Sequence, residues 1–229
     1  MIPIYMLKRK ISVLPLFGKL YEFLRHQKHK RQQKLLKKNA GAVTNHLYEV
    51  LQDEPISYFY IYGSLLGIIR EKQFLSHDID IDLGILDISQ QQVKDLIHKL
   101  QSAGFRLIRY CEQENTVTEF TCQYGGIPID FFLFQTEGDM MISYEYYRRE
   151  DLTYPNDETT SIARLVCRRA EGFIDMPLYG TPLRVPRNYE QILCDQYGVD
   201  WRVPNTNWKN TEAPNRFDCG DKRGRYVNL

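Results

Sequence analysis

Three aspartates, Asp78, Asp80 and Asp82, alternate with apolar residues in the segment HDIDIDLGI. Because successive side chains of an extended strand point to opposite faces, this spacing predicts a strand over residues 78–86 with all three carboxylates on one face. Carboxylates crowded on one face repel one another unless a cation compensates their charge. Their oxygens are also the ligands that Mg²⁺ and Mn²⁺ prefer. The segment therefore predicts a metal site that acts on phosphate.

A solvated sheet edge with one buried face would show the same alternation of acidic and apolar residues. The Gly63-Ser64 pair upstream favours the metal site. A small-residue turn between a strand and a helix leaves backbone N–H groups free to approach a phosphate. Residues 56–62 are β-rich and predict that strand, and residues 65–70 predict the short helix. This order of elements resembles the layout of the nucleotidyltransferase superfamily.

The segment GSLLGIIREKQFLSHDIDIDLGI resembles the LicD family more closely. That family includes LicD phosphocholine transferases and fukutin-related ribitol-phosphate transferases, and typically reads G-[ST]-L-L-G-x-x-R, a basic stretch, then W-D-x-D-h-D-h-G. The matching positions in this chain are Gly63, Ser64, Leu65, Leu66, Gly67, Arg70, Lys72, Phe74, Asp78, Asp80, Asp82 and Gly84. Three positions differ from the family pattern: His77 replaces Trp, Ser76 replaces Pro and Gln73 replaces Gly. They lie beside the carboxylates, so they bear on the donor or acceptor rather than on the chemistry.

A later apolar run, IPIDFFLF (127–134), contains one acid, Asp130. An acid inside an apolar strand is costly unless it is paired or binds a metal. One explanation is a buried aspartate satisfied by the backbone or by an arginine. The superfamily places its third catalytic carboxylate on such a strand, so the resemblance implies that role for Asp130. The segment LRVPRNYEQILCDQYGVDWRVP (183–204) resembles the family's closing signature, and the resemblance then covers residues 40–208.

The resemblance implies a nucleotidyltransferase-like α/β fold, with a mixed central sheet flanked by helices, and a metal-dependent active site. The implied catalytic and metal-binding residues are Asp80, Asp82 and Asp130, with Asp78 orienting a neighbouring ligand. Asp130 would be either a shared ligand or the general base. The implied donor-phosphate residues are Gly63, Ser64, Arg70 and Lys72. For Arg70, an ion pair with one of the aspartates of the row is the alternative.

The implied reaction moves a phospho-alcohol or phospho-polyol, such as phosphocholine, ribitol phosphate or glycerol phosphate, from a CDP-linked donor. The acceptor would be a sugar hydroxyl of a glycan or lipid-linked glycan, and CMP would be released. In a bacterium the product would be a capsule or lipopolysaccharide. A nucleotidyltransferase that adds NMP from an NTP to a small molecule, protein or RNA is the alternative. A non-catalytic scaffold is disfavoured, because this chain keeps every acid.

The first 38 residues form a basic arm. Residues 1–38 contain 11 of the 30 Lys and Arg residues but only one of the 29 acidic residues, Glu22, so the remainder of the chain is acidic. Apolar pairs recur at helical spacing in this arm, at Leu16/Phe17, Leu20/Tyr21 and Phe23/Leu24. A basic amphipathic helix suits an anionic membrane surface. Docking of the apolar stripe on the catalytic domain is the alternative, and nucleic acid is the least favoured partner.

Five scattered cysteines without a C-x-x-C pair, and the absence of an apolar run long enough to span a bilayer, predict a cytoplasmic protein. Its arm would place it peripherally at the inner face of the cytoplasmic membrane. With 229 residues, of which 43% are hydrophobic, the chain can bury one core. We divide it into the arm (1–38), a catalytic domain (39–208) and a polar, loosely ordered C-terminal tail (209–229).

Local signals predict several further elements. A helix begins after the N-cap Ser89 and stops at Gly104. Strands are predicted near 105–111, 116–124 and 127–134, the last two joined in a hairpin by Gly125-Gly126, and a helix is predicted over 161–170. Residues 135–160 have no clear pattern and would shape the acceptor cleft.

Overall fold

The computed structural model describes residues 15–229, without the side chains of residues 15–19 and 21. The described helices are α1 (Pro15–Leu51), α2 (Tyr62–Leu66), α3 (Gln90–Ser102) and α4 (Tyr189–Tyr197), with a π-helical turn (Gly67–Glu71) directly after α2 and a 3₁₀ turn (Asn210–Glu212). The strands are β1 (Ser57–Tyr60), β2 (Ile81–Leu86), β3 (Arg106–Gln113), β4 (Thr116–Tyr124), β5 (Ile127–Glu137), β6 (Met140–Tyr147), β7 (Thr159–Arg168), β8 (Phe173–Leu178), β9 (Thr181–Pro186) and β10 (Arg216–Asn228).

Eight of these strands form one mixed sheet in the order β1-β2-β5-β4-β3-β10-β7-β6, and β8 and β9 form a separate hairpin. Within the large sheet only β2 and β5 run parallel. The far end of β5 also pairs with β6, so the six strands from β5 to β6 close into a ring. Helices α1 and α3 pack on this sheet, as the predicted mixed sheet with flanking helices requires.

Local sequence signals explain several elements. Ser89 caps α3 in a reciprocal capping box with Gln92, and Val93, Leu96 and Leu100 on the same helix are buried. Gly104 follows with φ of +87°, a conformation that costs glycine little. Gly125 and Gly126 join β4 to β5 in the predicted hairpin, both with positive φ. These predictions are confirmed.

The strand of the three aspartates is shorter than predicted. β2 begins at Ile81, so Asp82 lies in the strand while Asp78 and Asp80 precede it. The Asp78 N–H donates to the Leu75 carbonyl at 3.0 Å and closes a turn that bends the chain before β2. The three carboxylates therefore do not share one face of a single strand.

The predicted helix over residues 161–170 is wrong, because these residues belong largely to β7. β7 pairs with β6 on one side and with β10 on the other, so tertiary hydrogen bonds supply its backbone partners. The β-branched residues Thr159, Thr160, Ile162 and Val166 suit such a position.

The predicted loose order of residues 209–229 is also wrong, because β10 lies between β3 and β7 in the sheet. Its polar sequence is compensated by ion pairs: Arg216 contacts Glu145, and Arg225 contacts Glu112 and Glu158. A polar strand can therefore occupy an interior position of the sheet.

Helix α1 runs without interruption across the predicted boundary between residues 38 and 39. Its second half is buried in the core from Leu36 onward, through Ala40, Val43 and Leu47. Its first half exposes Leu20, Phe23 and Leu24, so these three side chains do not dock on the catalytic domain. The rest of the predicted apolar stripe, Leu16, Phe17 and Tyr21, lies outside the described side chains. Among residues 15–229, no helix combines the length and hydropathy needed to cross a membrane.

Candidate active site

Gly63 and Ser64, predicted as a turn before a helix, lie within helix α2, and Ser64 connects this helix to the aspartate strand. Its N–H donates to Asp82 Oδ2 at 3.2 Å, and its hydroxyl accepts from the Asp82 N–H at 2.8 Å. Ser64 is fully buried. The sequence suggested that Ser64 offers its donors to a phosphate; its N–H instead donates to Asp82, while its hydroxyl accepts from Asp82. Ser64 therefore positions Asp82.

Gly63 allows the close approach of two carboxylates. A Cβ at this position would lie 3.2 Å from Asp78 Oδ2 and 3.3 Å from Asp82 Oδ2, tighter than most side-chain contacts. The two carboxylates thus face the same glycine from neighbouring positions. Lack of space, rather than backbone conformation, is the reason for a glycine here, since the φ of Gly63 lies outside the left-handed region.

Burial and mutual repulsion make the three carboxyl groups hard to ionise. Burial raises the pKa of Asp78 to about 6. Burial, followed by the charges of Asp130 and Asp78, raises the pKa of Asp80 to about 7. The pKa of Asp82 is raised well above its usual range by burial and then by Asp80. Asp78 Oδ2 is in addition buried without a hydrogen-bond partner. A cation beside these groups would offset all of these costs.

Asp130 lies in register with Asp82 on the adjacent parallel strand β5. It is 8% exposed, and its Oδ1 accepts hydrogen bonds from Thr121 Oγ1 and from Arg109 Nη2, the latter at 2.8 Å. Arg109 Nη2 also contacts Glu119 Oε1 at 3.1 Å. Asp130 is therefore an arginine-paired carboxylate beside Asp82, and it is not among the residues that line the cleft.

The sequence analysis did not identify Arg109 and Glu119, although both line the cleft. Burial, and then the charge of Asp130, raises the pKa of Glu119 to about 8. Like Asp130, each is a charged residue within a β-rich run, where burial is costly unless the charge is paired. No sequence pattern, however, indicates that Arg109 and Glu119 lie beside Asp130.

A cleft of about 1080 Å³ opens from the three aspartates. Its lining includes tyrosines of α2, β6 and β10, namely Tyr62, Tyr144, Tyr146 and Tyr226, and many of the residues from 196 to 215. Residues 144–146 belong to the segment expected to shape the acceptor cleft. The cleft is large enough to hold two substrates side by side.

The two basic residues of the motif differ in placement. Arg70 lines the cleft, donates from Nη1 to the Trp201 carbonyl at 3.1 Å and pairs through Nε with Glu71 at 3.0 Å. These bonds, rather than an ion pair with the aspartate row, hold its side chain. Lys72 is exposed at the end of the π-helical turn and is not among the lining residues of the cleft.

The carboxylate oxygens of the three aspartates are chemically suited to bind a divalent cation. Asp78, Asp80 and Asp82 all line the cleft, and Asp78 keeps a buried oxygen without a partner. Hard oxygen donors of this kind are preferred by Mg²⁺ and Mn²⁺. Within residues 15–229, no three acidic, His or Cys side chains already converge closely enough to coordinate an ion. Binding would therefore require small adjustments of these side chains.

The family described as LicD/FKTN/FKRP, nucleotidyltransferase domain, matches residues 55–170. The uncharacterized protein RT0683 of Rickettsia typhi is 26% identical over 110 residues, which cover 48% of this chain and 31% of that protein. This chain thus matches less than a third of that relative's length.

Among solved structures, the crystal structure of ANT(2")-Ia in complex with adenylyl-2"-tobramycin is similar at 16% identity, with a TM-score of 0.40 over 76% of this chain and 83% of that chain. A similarity of this size supports no inference about activity.

The family match covers half of the chain and includes the turn at Gly63, all three aspartates of the row and Asp130. The chain therefore belongs to the LicD/FKTN/FKRP nucleotidyltransferase domain family, a family of transferases.

Proposed function

We propose that this protein is a metal-dependent phosphotransferase. It moves a phospho-alcohol or phospho-polyol from a CDP-linked donor to a sugar hydroxyl of a capsule or lipopolysaccharide glycan, or of its lipid-linked precursor, and releases CMP. The observation that carries the proposal is the row of three half-buried carboxylates that line a large cleft, one of them with a buried oxygen that has no partner. Family membership supports transfer chemistry, and the resemblance of the motif to LicD proteins supports the donor class.

In this proposal, Asp78, Asp80 and Asp82 hold Mg²⁺ or Mn²⁺. The ion, when bound, offsets the charge of the donor diphosphate and stabilises the leaving phosphate. The proposal retains Asp130 as the third catalytic carboxylate, supported by its register with Asp82 and by its charge, which raises the pKa of Asp80. Arg109 and Thr121 hold its Oδ1.

The acceptor hydroxyl oxygen attacks the phosphorus that carries the alcohol, and the bond from this phosphorus to the bridging oxygen breaks. CMP leaves with the bonding electron pair, and the hydroxyl proton passes to a carboxylate of the site. Arg70 lines the cleft and offsets charge on the transferred group. The lining tyrosines of β6 and β10, Tyr144, Tyr146 and Tyr226, hold the acceptor sugar, since aromatic faces pack against sugar C–H surfaces.

The test is CMP release from CDP-choline, CDP-glycerol and CDP-ribitol, with Mg²⁺ or Mn²⁺ and candidate glycan extracts. We expect metal-dependent CMP release from one donor, abolished in Asp80→Ala/Asp82→Ala. The matched control is Asp95→Ala, which removes an exposed carboxylate on α3. Silence on every CDP donor, with pyrophosphate released from an NTP, would instead assign the chain to nucleotide transfer.

We also propose that the first half of α1 contacts an anionic lipid surface and so holds a cytoplasmic enzyme at the inner face of the membrane. Leu20, Phe23 and Leu24 are 52%, 57% and 57% exposed. At about 3.6 residues per turn, they lie on the side of α1 opposite its buried residues. The exposed basic residues Arg31, Lys34 and Lys38 continue the same side. Apolar insertion next to basic charge is the composition of interfacial helices.

Flotation with phosphatidylcholine vesicles, with and without phosphatidylglycerol, tests this surface. We expect the full chain to float only with the anionic vesicles, and Leu20→Ser/Phe23→Ser/Leu24→Ser to remain at the bottom. The variant should release CMP normally with a soluble acceptor. Failure of the full chain to float with anionic vesicles, or equal flotation of the two proteins, would exclude a lipid-binding role for these residues.

A further inference from the structure

Two buried carboxamides in the cleft have polar atoms without a hydrogen-bond partner of ordinary geometry. Gln196 of α4 is 2% exposed, and neither its Nε2 nor its Oε1 has a partner of ordinary geometry. Asn215, just before β10, is 5% exposed, and its Nδ2 has none. Both residues line the cleft. Buried amides are normally hydrogen-bonded, so two such groups in one cleft indicate a ligand that completes them.

The two amides are anchored at the same stretch of β7. The Asn215 carbonyl accepts from the Val166 N–H at 2.9 Å, and the Gln196 side chain interacts with the thiol of Cys167. Leu165, from the same stretch, also lines the cleft. Gln196, Asn215 and Leu165 are thus linked to one three-residue stretch of β7 and all line the cleft, and we refer to them as the amide patch.

This patch adjoins both aromatic rings and the aspartate row. Tyr197 follows Gln196 directly, and its ring centroid lies 5.2 Å from that of Trp208; both residues line the cleft. Tyr62, whose hydroxyl is 2.5 Å from Ser143 Oγ, lines the same cleft. Because the amides and the three aspartates line one cleft, a ligand on the patch can extend to the carboxylates.

The chemistry of the patch fits a flat, neutral and polar ring. Carboxamides carry donors and acceptors in one plane, without formal charge, and pair with the hydrogen-bonding edge of a nucleobase. Aromatic and apolar side chains beside them suit the faces of such a ring. A phosphate would instead call for cations, which the amides do not provide.

We propose that Gln196 and Asn215 form the subsite for the base of the nucleotide donor. This inference rests on the proposed function, in which that donor is a cytidine nucleotide. The base would bind the two amides, and the diphosphate would extend from it toward Asp78, Asp80 and Asp82.

Calorimetric titration with CMP and with ribose 5-phosphate, which lacks the base, tests the subsite. We expect Gln196→Met and Asn215→Leu each to weaken CMP binding by about tenfold or more, and to leave ribose 5-phosphate binding unchanged. Gln191→Met, on the exposed face of the same helix, is the matched control and should bind CMP normally.

The melting temperature provides a second readout. Removing an unpaired buried amide should leave the ligand-free Gln196→Met variant as stable as the wild type or more so, while CMP stabilises it less. Asn215→Leu tests the same patch independently. CMP affinity unchanged in both variants, or equal weakening of CMP and ribose 5-phosphate, would overturn the base subsite while leaving the phosphotransferase proposal standing. A wild-type protein that binds no cytidine nucleotide would overturn both proposals.

Discussion

At the scale of single residues, the absence of a side chain at Gly63 shapes the site as much as the carboxylates themselves. Asp78 and Asp82 both approach the position where a Cβ would stand. Ser64 then holds Asp82 through two reciprocal hydrogen bonds. Gly63 and Ser64 thus set the spacing of the carboxylates. This role does not depend on a direct contact of either residue with a phosphate.

We expect Gly63→Ala to reduce CMP release by about tenfold, because the two carboxylates would have to shift by a few tenths of an ångström. The added methyl group would contact both carboxylates at 3.2–3.3 Å and push them apart. Initial rates at saturating metal, with the melting temperature as a check on folding, measure the effect. A fully active Gly63→Ala protein would show that this spacing does not matter for the reaction.

At the scale of elements, three neighbouring strands bring one arginine to two acids. Arg109 on β3 contacts Glu119 on β4 at 3.1 Å and Asp130 on β5 at 2.8 Å. The side chains of both acids are almost buried, at 10% and 12% exposed. A single guanidinium therefore compensates two carboxylates beside the aspartate row and links three strands. Its charge also partly offsets the rise in the pKa of Asp80.

Removing this guanidinium should destabilise the fold. At pH 8 we expect Arg109→Met to lose about 3 kcal/mol or more of unfolding free energy, because two buried carboxylates are left unpaired. The loss should be smaller at pH 5.5, because Glu119, whose pKa is about 8, is then neutral and needs no counter-charge. Urea denaturation at both pH values measures it, and Arg106→Met, an exposed arginine on the same strand, should change stability by less than about 0.5 kcal/mol. A loss that does not depend on pH would point to lost packing instead.

At the scale of the whole molecule, the buried carboxyl groups oppose folding at neutral pH. The pKa of Asp78 is about 6 and that of Asp80 about 7 in the folded chain, both above the ordinary value of 3.8. Between pH 3.8 and these raised pKa values, the folded state binds more protons than the unfolded state. The contribution of these groups to the unfolding free energy is therefore fully present below pH 3.8 and is lost as the pH rises through 6 to 7.

We expect metal-free Asp80→Asn to melt at a higher temperature than the wild type at pH 8, and this advantage to disappear by about pH 5, because asparagine carries no charge to bury. Mg²⁺ should raise the wild-type melting temperature more at pH 8 than at pH 5.5, since binding requires ionised carboxylates. Scanning fluorimetry across this range measures both. An advantage of the variant that is the same at every pH would contradict the argument.

Much of the fold follows from local chemistry. The cap at Ser89, the stop at Gly104 and the hairpin at Gly125-Gly126 each depend on a few adjacent residues, and each was predicted correctly. The mixed α/β class follows from the alternation of such elements. β10 and β7 were missed because their pairing partners are distant in the chain, and a polar or Arg-rich strand has no local signature once those partners supply its hydrogen bonds.

The site divides in the same way. The sequence by itself determined the Gly63-Ser64 pair, the three aspartates and the acid of β5, because these groups are recognised from short runs of the chain. Only the tertiary structure decided that Arg109 binds Asp130, that Ser64 binds Asp82, and that Gln196 and Asn215 line the same cleft. Those contacts arise from strand pairing and helix packing between distant segments, which a linear pattern does not encode.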